Sequence, residues 1–212
     1  MSWRDLPAER FGPWHPVYAR FRRWRQAGIW PRVLVQGQNA TGLYRLMVDS
    51  TAVRAHQVAA GAKKNSLVGQ ALGRSRGRTR QGGLTTKLHL RCDAHGRICA
   101  LALTGGQAGD CPQAPGLLRR HLRVGQAVLA DRAYDGDYVR VQIEQAGVGA
   151  VIPGKNNRTV PIEQDAEIYK ERNRVERAIN GLKRFRALAT RFDKRAANYF
   201  ATCCLIAALA RL

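Results

Sequence analysis

The stretch "AVLADRAYDGDYVRVQIEQAGVGAVIP", residues 127–153, decides the fold. It opens on a short apolar run from Ala127 to Ala130, the pattern of a buried strand, and the run stops at an acid, Asp131. "DYVRVQIEQAG" reads as a helix closed by Gly147, and "VGAVIP" as one more short strand. Strand, helix and strand in so short a span belong to an α/β layer.

Upstream, "YRLMVDSTAV", from Tyr44, reads as a strand that also ends in an acid, Asp49. "LTTKLHLRCD" (84–93) and "GRICALALTGG" (96–106) are two more strands, joined by the turn residues Asp93-Ala94-His95-Gly96. "CPQAPGLLRRHL" reads as a helix with Asp110 as its N-cap, and from Pro161 the pattern is helical almost to the C-terminus. Three β segments precede the first central helix, and β and α then alternate. That order predicts a mixed sheet with helices on its faces. No internal repeat is evident.

The 212 residues carry 36 Lys and Arg against 15 Asp and Glu, a formal net charge of +21. Such an excess points to a polyanionic partner, nucleic acid first, while 45% hydrophobic content argues for a folded core. Composition alone would equally suit a structural RNA-binding protein. Five cysteines, at 92, 99, 111, 203 and 204, form no Cys-x-x-Cys pair and read as buried thiols of an intracellular protein. No signal peptide is present, and the apolar end "CCLIAALARL" is too short to cross a bilayer.

The first thirty residues are rich in aromatics. Tyr18, Phe21 and Trp24 recur every three positions, with Arg20, Arg22, Arg23 and Arg25 on other sides of the same helix. Two readings stand side by side: a helix pressed on DNA, or a small helical unit with a solvated basic face. Residues 1–40 are therefore predicted to be a helical N-terminal segment ahead of an α/β domain spanning 41–212. Between Asp49 and Asp93 there is no acidic residue but nine Lys or Arg. The centre of that run carries Lys63, Lys64, Arg74, Arg76, Arg78 and Arg80 among glycines, the content of a loop that grips phosphate. It is not a P-loop, because Gly-x-x-x-x-Gly-Lys-Ser/Thr is missing.

In so basic a chain, acids at strand ends are informative. Phosphodiester chemistry needs carboxylates there to hold two divalent metals roughly 3.5–4 Å apart, and Mg²⁺ suits this work. The stretch "IYKERNRVERAINGLKRF" (168–185) adds a third candidate. At about 100° per residue, Ile168, Val175, Ile179 and Leu182 form an apolar stripe facing the sheet. Tyr169, Arg172, Glu176 and Lys183 form a second stripe at its border, placing Glu176 over the strand ends with three phosphate-gripping neighbours. The plain alternative is a surface Arg172–Glu176 pair worth a few tenths of a kcal/mol. Glu171 lies off the stripe.

The spacing Tyr169-x2-Arg172-x3-Glu176-x6-Lys183 resembles the signature of bacterial insertion-sequence transposases with a DDE catalytic triad. "MVDST" looks like their first Asp motif and "LADRAYD" like their second. The whole chain, including "WRDLPAERFGPWHPVYARFRRW", is similar to the IS-five type. The resemblance implies a ribonuclease-H-like mixed sheet flanked by helices, with Asp49, Asp131 and Glu176 binding two Mg²⁺ ions for which Mn²⁺ can substitute. It further implies double-stranded DNA partners (the element's ends and its target), a homo-oligomer on that DNA, and a bacterial cytoplasmic, nucleoid-associated setting. Members of the family usually carry a further N-terminal stretch ahead of "WRDLP", so the chain reads either as the second frame of a two-frame element, with an upstream-frame segment as partner, or as a truncated copy. Two other readings compete: a catalytically silent, truncated DNA-binding remnant, and a recombinase with a covalent nucleophile, Tyr134 or Ser50.

Overall fold

A computed structural model of the chain describes residues 3–36, 43–60, 71–74, 83–119 and 121–210. In order, the elements are α1 (Ala8–Phe11), α2 (Trp14–Gln26), α3 (Ile29–Gln36), β1 (Arg45–Ala55), α4 (Gln57–Ala60), β2 (Gly73–Arg74), β3 (Leu84–Cys92) and β4 (Ile98–Gly105). Then follow α5 (Ala114–Leu118), β5 (Ala127–Ala130), α6 (Asp137–Gln145), β6 (Gly149–Val151), α7 (Ala166–Lys170), α8 (Asn173–Lys183), α9 (Arg186–Ala189), β7 (Thr190–Arg191) and α10 (Ala196–Leu209).

The strands make one mixed sheet in the order β2-β3-β1-β5-β6, with β4 paired to β3 and β7 to β1. β1 is antiparallel to β3 and parallel to β5, and β5 is parallel to β6. This is the mixed sheet with helices on its faces that the order of elements predicts. The β5–α6–β6 unit of residues 127–153 supplies its parallel half. α6 ends where Gly147 takes φ 66°, the left-handed conformation that glycine adopts without cost at a helix C-terminus.

Side-chain alternation splits the core into two layers. Met47, Leu88, Leu90, Leu101 and Leu129 face one side, where Val175, Ile179 and Leu182 of α8 and Tyr199, Cys203 and Ile206 of α10 cover them. Leu46, Val48, Val128 and Ala130 face the other, under Leu117 and Leu118 of α5 and Val139 and Ile143 of α6. Phe21, Trp30 and Leu34 of the N-terminal helices pack into the first layer too.

Four expectations change. Asp49 does not end its strand: β1 continues to Ala55. Its first half, buried on both faces, is the apolar run Leu46-Met47-Val48. The second half alternates buried and exposed, a pattern that Ser50, Thr51 and Arg54 hide from an apolar-run reading. The expected helix over 168–185 is two helices, α7 and α8, with a turn at 171–172. Its apolar stripe holds: Val175, Ile179 and Leu182 are buried, each contributing about 1.5–3 kcal/mol, so Ile179→Asp would lift α8 from the sheet. The helical pattern after Pro161 is also broken by β7, which pairs with β1. Finally, "CPQAPGLLRRHL" forms only a 3₁₀ turn and the short α5, and Asp110 makes no side-chain cap.

Candidate active site

Parallel pairing matches Val48 of β1 with Ala130 of β5, so the next residues, Asp49 and Asp131, lie side by side. Neighbouring strands are about 4.8 Å apart, so the two acids follow adjacent strand positions one strand spacing from each other. Met47 and Leu129 face the α8 layer, and by the strand period of two Asp49 faces it as well. Asp131 caps the 3₁₀ turn after β5, its Oδ1 accepting from the Ala133 amide at 3.0 Å.

The turn at 171–172 swings Arg172 over this pair. Its guanidinium donates to Asp49 Oδ2 at 2.8 Å and to Glu176 Oε1 at 2.6 Å. The sequence thus brings Asp49, Asp131, Arg172 and Glu176 together from three elements. Burial raises the pKa of Asp49, against the pull of Arg172 and of the Ser50 amide hydrogen bond. The nearby charges of Asp131 and Glu176 push in the same direction as burial. Asp49 thus lies among two other carboxylates and one guanidinium, a group of side chains with more negative than positive formal charge.

Among the described residues, no three His, Cys, Asp or Glu side chains are gathered closely enough to hold a metal by themselves. Arg172 stands between two of the three acids, Asp49 and Glu176. In donor type the set suits a hard divalent cation, because all three residues are carboxylates. Two of them already balance a positive charge.

Tyr169 is half-buried against the core near Arg172, and Lys183 is exposed at the end of α8. Arg74 is exposed at the end of β2. Lys63, Lys64, Arg76, Arg78 and Arg80 lie outside the described residues. Glu171 turns away from the acids, to Arg174 at 3.0 Å and Arg45 at 3.9 Å. Asp93, expected as a turn residue, accepts from the His95 and Arg97 amides and pairs with Arg97 Nε.

On the reverse face of β1 lies a cluster that was not foreseen. Ser50 Oγ donates to Asp110 Oδ1 at 2.6 Å, and Lys87 Nζ stands 3.1 Å from the same carboxylate. His89, opposite Ser50 across β1 and β3, is buried, and its pKa falls to about 4 through that burial, so it is neutral. Tyr134 is buried here as well. Burial, then the charges of Asp110, Asp49 and Asp131, push its phenol upward, which disfavours the phenolate a covalent mechanism needs. The cluster was legible only as Lys87 and His89 two residues apart on one strand face. Asp110 passed for a helix cap because a Pro-rich segment follows it.

Residues 41–211 match the transposase DDE domain family, and residues 1–34 match a putative transposase family of the IS4/5 type. A putative transposase for insertion sequence element IS6501 from Brucella ovis is 41% identical over 112 residues, covering 52% of this chain and 85% of that protein. A putative transposase for insertion sequence element IS402 from Burkholderia cepacia is 32% identical over 135 residues, covering 57% of this chain and 62% of its own length, less than two thirds. Among solved structures, the piggyBac transposase synaptic complex with hairpin DNA superposes with a TM-score of 0.48 at 9% identity, over 79% of this chain and 46% of that one. Matched along nearly its whole length, the chain belongs to the DDE transposase family of insertion sequences.

Proposed function

We propose that the chain cuts DNA at the ends of an insertion sequence and transfers the freed 3′ ends to target DNA. In this reading Asp49, Asp131 and Glu176 hold two divalent ions, Mg²⁺ by preference with Mn²⁺ able to substitute. The observation that carries it is the register of β1 with β5, which sets two acids side by side, together with the guanidinium that ties Asp49 to Glu176. When bound, a two-ion pair activates the attacking oxygen and stabilises the leaving one. Asp49, on a central strand, and Asp131, capping a tight turn, are rigid ligands. Glu176 is half-exposed and rides on a helix.

Arg172 balances charge between the acids, and in this reading it turns to a phosphate oxygen once another cation takes its place. Tyr169 and Lys183 flank the same path and would hold the backbone of the strand being cut. Arg74 and the basic run around it, Lys63, Lys64, Arg76, Arg78 and Arg80, would hold duplex DNA through charge. Residues 1–40 would add a partial DNA-binding region to the catalytic domain of 41–212. A homo-oligomer on double-stranded DNA, in the nucleoid of a bacterial cytoplasm, suits this chemistry. Among the described residues, no helix is long and apolar enough to cross a membrane.

A silent remnant would have no reason to keep three acids converging on one face. Titration of Mn²⁺ into the chain bound to a terminal-repeat duplex, followed by electron paramagnetic resonance, tests the assignment. Two bound ions are expected, with loss in Asp131→Asn. Equal Mn²⁺ binding by that variant would contradict it.

A further inference from the structure

A second basic feature lies away from the acids. Tyr18, Arg22 and Arg25 of α2 face Lys194, Arg195 and Asn198 at the start of α10 across a cleft of ≈ 360 Å³. Residues more than 170 positions apart meet there, and Arg25 donates to the Asn198 side-chain oxygen across it. The cleft runs on into a neighbouring hollow of ≈ 310 Å³, since Tyr18, Lys194 and Asn198 line both, and the rings of Trp3 and Trp14 wall that side. Arg22, Lys194 and Arg195 are exposed, and none of the three forms an ion pair among the described residues. Among the described residues that line the cleft and the hollow, the one acid is Asp193, in the hollow. Four cations side by side make a local positive potential that draws an anion.

The cleft's position relative to the acids is fixed by β1. Its last residue, Ala55, pairs with Arg191, and the His56 amide donates to Arg191 O. His56 also packs on Phe192, two residues before Lys194. From Asp49 to Ala55 the strand advances about 20 Å at ~3.3 Å per residue. At ~3.4 Å per nucleotide along a strand, that is about six base pairs of duplex.

We infer that this α2–α10 cleft grips the phosphate backbone of duplex DNA about six base pairs or more from the bond that is cut. The inference rests on the DNA-cutting reading above. It goes beyond it by assigning Arg22, Arg25, Lys194 and Arg195 to one clamp on the flank of the duplex, separate from the Arg74 run.

The test compares two charge-neutralised pairs in the full chain. Arg22→Ala with Lys194→Ala removes one cation from each wall of the cleft, while Arg119→Ala with Arg123→Ala removes equal charge from exposed positions elsewhere. All four side chains are exposed, so the fold should survive. Affinity for a labelled terminal duplex is measured against salt. The cleft pair should reduce the slope of log K against log salt by about 1.8, two contacts at ~0.9 each, with the control pair leaving it unchanged. Phosphate ethylation about six base pairs or more from the cut should weaken binding of the unmodified chain but not of the cleft variant. Equal slopes for the two pairs, or an unaltered slope in the cleft pair, would overturn the clamp. An acidic peptide or a second copy of the chain as the true occupant would show as such an unaltered slope. Asp131→Asn separates this result from the catalytic reading. Lost cleavage with an unaltered cleft slope removes the clamp alone. Cleavage that persists in Asp131→Asn, with the slope reduced by the cleft pair, removes the triad and leaves the clamp.

Discussion

Asp131 and Asp135 stand four residues apart in the single motif "LADRAYD", yet their surroundings are opposite. Asp135 is buried and saturated. It accepts from Arg140 Nε at 2.8 Å, from Arg158 Nε at 2.6 Å and from the Lys155 amide at 2.7 Å, while Arg140 also donates to Ile152 O. This cluster ties α6 to the chain that follows β6. Asp131 has one amide hydrogen bond and stands near the charge of Asp49, which also feels Glu176, with Arg172 close to all three. A carboxylate surrounded by donors holds the fold together. Carboxylates set against each other leave a demand for positive charge that a metal can meet.

The comparison breaks most sharply at the acids. Asp49→Asn, Asp131→Asn and Glu176→Gln should each abolish cleavage while leaving the unfolding temperature within a few degrees of the parent. Asp135→Ala should do the reverse. Removing one partner of a buried ion cluster costs about 3–5 kcal/mol. In a chain of this size that lowers the melting temperature by roughly 10 °C, measured by calorimetry. Equal stability for Asp135→Ala would mean that its cluster is not structural.

The pH dependence of stability sharpens the same contrast. Burial acts to raise the Asp135 pKa, but hydrogen bonds from Arg158, the Lys155 amide and Arg140 outweigh it and hold the group well below the ordinary 3.8. A depressed folded-state pKa means that the unfolded chain binds the proton more readily. The contribution of Asp135 is therefore complete above the ordinary value and is lost as pH falls below ~4. Denaturant midpoints taken from ~pH 6 to ~pH 3 should fall more steeply for the parent than for Asp135→Asn. Parallel curves would exclude Asp135 as a source of acid sensitivity.

The smallest effect belongs to Glu171. Its pairs with Arg174 and Arg45 are partly exposed, so Glu171→Ala should cost no more than about 1 kcal/mol.

Much of this was legible in the residues. The β5–α6–β6 unit announces itself by an apolar run, a helix closed by glycine and a second run. The apolar stripe of Val175, Ile179 and Leu182 places α8 on the sheet. What stayed hidden depends on pairing. Asp49 looked terminal because apolarity stops there, although hydrogen bonding to β3 carries the strand on to Ala55. The break at 171–172 that aims Arg172 contains neither proline nor glycine to mark it. The partners of Asp110 and Asp135 come from distant segments, and so does the meeting of α2 with α10. No local spacing encodes such contacts.

The central claim is that Asp49, Asp131 and Glu176 act as one unit. It is tested most directly by cleavage of a labelled terminal-repeat duplex with Mg²⁺ or Mn²⁺, comparing each of the three single neutral variants with Glu171→Ala. Loss of cleavage in all three, with DNA binding retained and Glu171→Ala indistinguishable from the parent, is the expected result. Cleavage that persists in Glu176→Gln but disappears in Glu171→Ala would contradict the account.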